Sequence, residues 1–159
     1  FGRAYSKSQA GAGMRLPEPH PGGPKRNVVI SVNNRDKPAI VEPAWQLVRM
    51  GFEIWATGGT FEYLIQHGIA CQPVYKVGEN RPDIVDMMKN GYVTLVINTP
   101  SDKKSTFDER ALRRCALEQN IPYVTTVSAA EAAVRGIAAD LKNHLDVKAL
   151  QDYFPRPRG

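Results

Sequence analysis

Cysteine is scarce: Cys71 and Cys115 are the only two in 159 residues, and they fit neither a metal-ligand spacing nor a dense disulfide framework. Free thiols in a reducing compartment are the plain expectation, a cytoplasm or, for a plant chain, a plastid. His20, His67 and His144 are scattered, with no two close enough to suggest a ligand pair, so no metal is expected. Long hydrophobic runs are missing too. No window approaches ~18 consecutive apolar residues, which excludes a membrane-spanning helix of ordinary length. The N-terminus lacks the charged-then-apolar pattern of a signal peptide, and it opens on Phe1 rather than Met, as a processed chain or a piece of a longer one would. Basic charge is absent where a nucleic-acid binder needs it. The chain holds 21 Lys and Arg against 16 Asp and Glu, net +5. Residues 1–26 carry +4 of that and Arg156 and Arg158 add two more, so residues 27–154, with 14 basic and 15 acidic residues, stand at −1. A phosphate-backbone footprint needs a basic face on the fold itself; nucleic acid is set aside.

What is present is globular: 42% hydrophobic and 23% charged residues in a length suited to one domain. Five of the 13 glycines and four of the 12 prolines fall in residues 1–24, and the stretch from Pro17 to Pro24 cannot sustain helix or ladder hydrogen bonds. Residues 1–24 read as a linker with the end of an earlier element before it, 25–154 as the domain, and 155–159 as a frayed end. From Asn27 onward, short apolar runs alternate with amphipathic segments. Strands are expected at Val28–Val32, Phe52–Ala56, Pro73–Val77, Tyr92–Asn98 and Pro122–Thr125. Helices are expected around Ile40–Val48, where Pro43 should kink the helix or delay its start, and at Thr60–His67, Asp83–Asn90, Asp108–Gln119 and Ala129–Leu145. Pro82 suits a first-turn position, and Val147–Phe154 reads as a separate last turn. Five strands alternating with helices predict a three-layer, Rossmann-like α/β domain with a five-stranded parallel sheet flanked by helices. In such sheets ligands collect outside the C-terminal ends of the strands.

Those ends carry a consistent chemistry. Strand two runs into Thr57-Gly58-Gly59-Thr60 and opens directly into a helix, a corner whose amides suit an anion. Its plainer reading is a tight turn with Thr60 as N-cap. Strand one runs into Asn33-Asn34-Arg35-Asp36-Lys37, strand three into Lys76, and strand four ends at Asn98-Thr99. Taken singly, each is a surface or turn residue. Together they place two ammonium groups, three hydroxyls and an amide on one rim, the set a dianionic phosphate wants. Catalytic groupings are poor by contrast. Asp83 and Asp86 share a helix face, as a carboxylate pair or as dipole-complementing charges. Arg113 and Arg114 suit a solvated face or a salt bridge to Asp108 or Glu109. Trp45 and Trp55 suit the core or an interface.

Several stretches, in order, resemble a known family: Phe1-Gly-Arg-Ala-Tyr-Ser-Lys-Ser-Gln, Ile30-Ser-Val-Asn-Asn-Arg-Asp-Lys37, Gly51-Phe-Glu-Ile-Trp-Ala-Thr-Gly-Gly-Thr60, Lys76-Val-Gly-Glu-Asn-Arg-Pro82, Leu95-Val-Ile-Asn-Thr-Pro100 and Arg113-Arg114. The chain resembles the C-terminal allosteric domain of the carbamoyl-phosphate synthase large subunit, in the methylglyoxal-synthase-like superfamily. The resemblance implies that residues 1–24 are the linker and the tail of the preceding synthetase domain. It implies a regulatory role with no catalysis of its own, and a nucleotide monophosphate effector, UMP or, as in some bacterial members, IMP. The phosphate would be held at Lys37, Thr57, Gly58, Thr60, Lys76, Asn98 and Thr99. Ornithine, the family's other activator, would meet Tyr123 and Thr125. The domain itself would carry no cofactor, the parent enzyme using ATP with Mg or Mn. The partners implied are the rest of the large subunit and the glutaminase small subunit, with a contact between copies allowed for. Pro100 departs from members that carry a threonine or serine there. Methylglyoxal synthase needs a carboxylate base near the position of Arg81, and an arginine cannot be a general base near neutral pH. A phosphate lyase on the same scaffold and a structural oligomerisation module are the two rival readings.

Overall fold

β-branched and aliphatic residues on alternate sides of short strands bury both faces of the sheet. In the computed structural model, residues 16–17, 26–101 and 106–153 are described. The elements run β1 (Arg26–Ser31), α1 (Lys37–Arg49), β2 (Phe52–Thr57), α2 (Gly58–Gln66), β3 (Cys71–Val74), α3 (Ile84–Lys89), β4 (Val93–Asn98), α4 (Thr106–Glu118), β5 (Tyr123–Val124) and α5 (Val127–Tyr153). All pairings are parallel, in the order β3-β2-β1-β4-β5. This is the expected three-layer Rossmann-like fold.

The two-residue period sorts the core. Val28 and Ile30 of β1, Ile54 of β2 and Leu95 and Ile97 of β4 face one layer, where they pack with Ile40 and Leu47 of α1, Leu64 of α2 and Ala133, Val134 and Ile137 of α5. Val29 and Val96 face the other layer, with Ile84, Met87 and Met88 of α3 and Leu112, Cys115 and Ala116 of α4. Each fully buried aliphatic side chain contributes roughly 1.5–3 kcal/mol. The chain steps outward from β1 to β3, then crosses back to β4 on the far side of β1. The helices therefore change layer between α2 and α3, and the ends of β1 and β4 splay apart at this reversal.

Several boundaries differ from the sequence expectation. α1 runs unbroken through Pro43, which lies buried, and begins at Lys37 with Pro38 in its first turn. Pro82 precedes the helix instead of opening it. Asp83 is the N-cap of α3, and its side chain and that of Asp86 each accept the other residue's backbone N–H, at 3.0 and 3.1 Å. α2 starts at Gly58 with Thr57 in the cap position, so Thr60 is not the cap. β3 ends at Val74, β5 has two residues, and α5 continues without a separate last turn to Tyr153. Trp45 is exposed rather than in the core. The expected linker at 1–24 lies outside the described residues except for Leu16 and Pro17, and Leu16 is buried against the core. The frayed end at 155–159 also lies outside them.

Candidate functional site

Where β1 and β4 part, a cavity of about 260 Å³ opens at the C-terminal edge of the sheet. Every strand end on its rim is tied to a neighbour. The Thr57 hydroxyl donates to Ser31 Oγ at 2.7 Å. The Thr60 hydroxyl accepts from the Val32 N–H at 3.2 Å and lies 3.3 Å from the Val32 carbonyl, which clamps α2 to β1. Thr99 Oγ1 accepts from the Asn33 N–H at 2.9 Å, and the Thr99 N–H donates to the Ser31 carbonyl at 3.0 Å. Asn33 closes the rim: its Oδ1 accepts from the Asp36 N–H, and its Nδ2 donates to the Pro100 carbonyl, both at 2.9 Å. Thr57, Thr60 and Thr99 are all almost fully buried. The floor is therefore rigid, with its polar groups satisfied.

Positive potential converges above that floor. The first turn of α2 presents backbone N–H groups that Thr57 does not cap. Lys37, the first residue of α1, donates from its ammonium to Asn34 Oδ1 at 2.7 Å and lies directly over Gly59. A Cβ on Gly59 would stand 2.6 Å from Lys37 Nζ, so a larger residue there would push the flexible lysine head aside. A cation at two helix N-termini is unfavourable on its own and becomes favourable once an anion sits between them. Lys76, exposed two residues beyond β3, lines the same cavity; its backbone N–H donates to Glu79 Oε2 at 3.0 Å. Val77, Ile84 and Leu112 form an apolar wall, and Glu109 of α4 stands among the lining residues.

Six of the seven residues expected at an anion site line this cavity: Lys37, Thr57, Thr60, Lys76, Asn98 and Thr99. The seventh differs. Gly59 lines the cavity, whereas Gly58 lies at a neighbouring groove with Phe61 and Tyr75. Tyr123 reaches the site indirectly, its hydroxyl taking a 2.7 Å hydrogen bond from Asn98 Nδ2, and Thr125 is not among the lining residues. Burial pushes the Tyr123 phenol above its ordinary pKa, against the opposing effects of that hydrogen bond and of Arg113, whose guanidinium lies 5.9 Å from the ring centre. Arg114 lies on a solvated face of α4, where it pairs with Glu118 at 2.9 Å. Ser31, Ser101, Glu109 and the apolar wall escaped the sequence reading. For Ser31 a signal existed, since it closes the strand that precedes the Asn-Asn turn. Glu109 had none, because its approach depends on how α4 packs. Among the described residues, no group of three or more His, Cys, Asp and Glu is placed to hold a metal ion, and no helix is long and apolar enough to cross a membrane.

The strand order and the cavity at its reversal point define the class: a Rossmann-like α/β domain with a polar crevice between its two halves. The chain belongs to the MGS-like domain family, whose model matches residues 39–125. It is 46% identical, over 95% of its length, to the carbamoyl phosphate synthase large chain of Acidobacterium capsulatum, and covers 13% of that protein. To the C-terminal section of the carbamoyl phosphate synthase large chain of Aquifex aeolicus it is 43% identical over 97% of its length, covering 28%. The chain thus spans between about an eighth and about a quarter of the length of these relatives. The crystal structure of methylglyoxal synthase from Elizabethkingia anophelis NUHP1 shares the fold, with a TM-score of 0.55 at 14% identity, over 69% of this chain and 77% of that one.

Proposed function

We propose that this chain is the regulatory domain of a carbamoyl-phosphate synthase large chain and that its cavity binds a nucleotide monophosphate, UMP or IMP. The observation that carries this reading is the Lys37 ammonium poised over the uncapped start of α2. Lys37, Lys76 and the α2 amides hold the phosphate, and Ser31, Asn98 and Thr99 complete its surroundings. Thr57 and Thr60 act chiefly by fixing β1 against α2, since each hydroxyl is already engaged. The apolar wall of Val77, Ile84 and Leu112 takes the nucleoside. The domain spans residues 25–154, works in the cytoplasm or a plastid, and acts on the rest of the large subunit, with its glutaminase partner and its ATP- and Mg- or Mn-dependent chemistry. Ornithine reaches the Tyr123 and Thr125 side. The effector moves the enzyme only as far as it binds one global state better than the other.

Titration of this chain with UMP, IMP and uridine tests the reading. Two or more charge-assisted hydrogen bonds at about 1.5–3 kcal/mol each predict that UMP binds at least about 100-fold more tightly than uridine. Equal or absent responses would refute a phosphate-anchored site. One observation favours a second reading, a phosphate lyase: Glu109 is a carboxylate lining the cavity. Phosphate release from dihydroxyacetone phosphate that vanishes in Glu109→Gln would establish it. Against it stands Arg81, which is exposed and paired with Asp86 at 3.4 Å.

A further inference from the structure

The cavity is polarised along the sheet edge. Its cationic end lies over the β2 and β3 ends, where Lys37 covers Gly59 and Lys76 follows β3. On the other side lies the end of β4, and α4, which follows β4 in the chain, contributes Glu109, the one acidic residue among the described lining residues. Glu109 is half-buried and has no hydrogen-bond or ion-pair partner among the described residues. Alongside burial, Glu109 also favours the protonated form of the Tyr123 phenol, against the opposing Arg113. A phosphate group in the cationic end thus leaves the Glu109 carboxylate, without a partner among the described residues, along the same cavity.

We infer that Glu109 limits the cavity to ligands with a single phosphate, excluding nucleoside diphosphates and triphosphates by charge. The inference rests on the nucleotide reading above. If the terminal phosphate of a diphosphate takes the cationic end, its inner phosphate moves toward Glu109. If the inner phosphate takes that end, the outer one must lie elsewhere in a cavity of about 260 Å³. Either way, extra negative charge enters a cavity whose described lining already holds the Glu109 carboxylate. At separations of several ångström and an effective dielectric between protein and water, each added charge costs roughly a fivefold loss of affinity or more. Repulsion built against the wrong ligand is a common route to specificity. Glu109 is therefore a specificity-determining residue, with no part in holding the first phosphate.

The test is calorimetric titration of this chain with UMP, UDP and UTP at one ionic strength, as wild type, Glu109→Gln, Glu109→Ala and Glu118→Gln. Glu118 lies on the same helix but faces solvent in a pair with Arg114, and serves as the control for long-range charge. The wild type should bind UMP at least about tenfold more tightly than UDP, with UTP weaker again. Both Glu109 variants should narrow the UMP–UDP gap by about fivefold or more, mainly by strengthening UDP, and Glu118→Gln should leave it in place. Wild-type UDP binding as tight as UMP, a gap unchanged in the Glu109 variants, or equal narrowing in Glu118→Gln would overturn this inference and leave the nucleotide reading standing. Absence of UMP binding would overturn both.

Discussion

Lys37 stands at the wrong end of its helix for its charge. A cation in the first turn opposes the macrodipole of α1, and its ammonium overlies the equally positive start of α2. Lys37→Ala should therefore leave stability unchanged or raise it by up to about 1 kcal/mol, while weakening UMP binding by roughly 10- to 100-fold. Urea unfolding and calorimetric titration separate the two effects, and a loss of stability would mean that the lysine serves the fold. Thr60 predicts the opposite division. Thr60→Val keeps the shape but strands the Val32 N–H in a buried place, so stability should fall by about 1–3 kcal/mol as read from the urea midpoint. The Gly59 position is legible only in three dimensions. The sequence shows two adjacent glycines, and the structure separates their roles: Gly58 takes a positive φ of 25° that disfavours other residues, and Gly59 has the Lys37 ammonium passing over it.

Among the elements, the segment from β3 to α3 carries Lys76 to the cavity, and Asp83 anchors it. Besides closing the capping box, Asp83 lies buried and its Oδ2 is 3.4 Å from the Gly78 N–H. Asp83→Ala should cost about 1–2 kcal/mol by loss of the cap and, by loosening the turn beside Lys76, weaken UMP several-fold; Asp83→Asn should recover most of the stability in the same urea titration. The elements were readable in kind because apolar periodicity records burial. Their ends were less so. Pro82 in the sequence looks like a helix start, yet the reciprocal bonding of Asp83 and Asp86 moves the cap one residue on. Pro43 looks like a break, yet α1 carries it buried against the core. Gly51, with φ of 94°, marks the end of α1 as expected, because only a residue without a Cβ takes that conformation freely.

At the scale of the whole molecule, the strand order puts the cavity where it is. β1 lies between β2 and β4, so the loops after these three strands meet, and Lys76 arrives from one strand further out. Alternating strands and helices announced a parallel sheet, but they did not specify the reversal between β1 and β4, nor that Glu109 would join the lining. The fold also predicts an alkaline limit. Burial raises the Cys71 and Cys115 thiols above 9.0 and the Tyr123 phenol above 10.0. Their neutral forms are favoured in the folded chain, which thus holds more protons than the unfolded chain at high pH. Their contribution is fully present below about pH 9 and is lost as pH rises through the higher folded values. The urea midpoint should hold to about pH 9 and decline above it, and Cys115→Ala should flatten the early part of that decline. The central claim, an oxyanion gripped at the strand ends, is tested most directly by mapping UMP onto the backbone amides of this chain by nuclear magnetic resonance. The account predicts saturable shifts concentrated at residues 32–37, 58–60, 76–77 and 98–101, and largely absent with uridine. Shifts centred elsewhere, such as the groove between α1 and α5, or shifts identical for UMP and uridine, would contradict it.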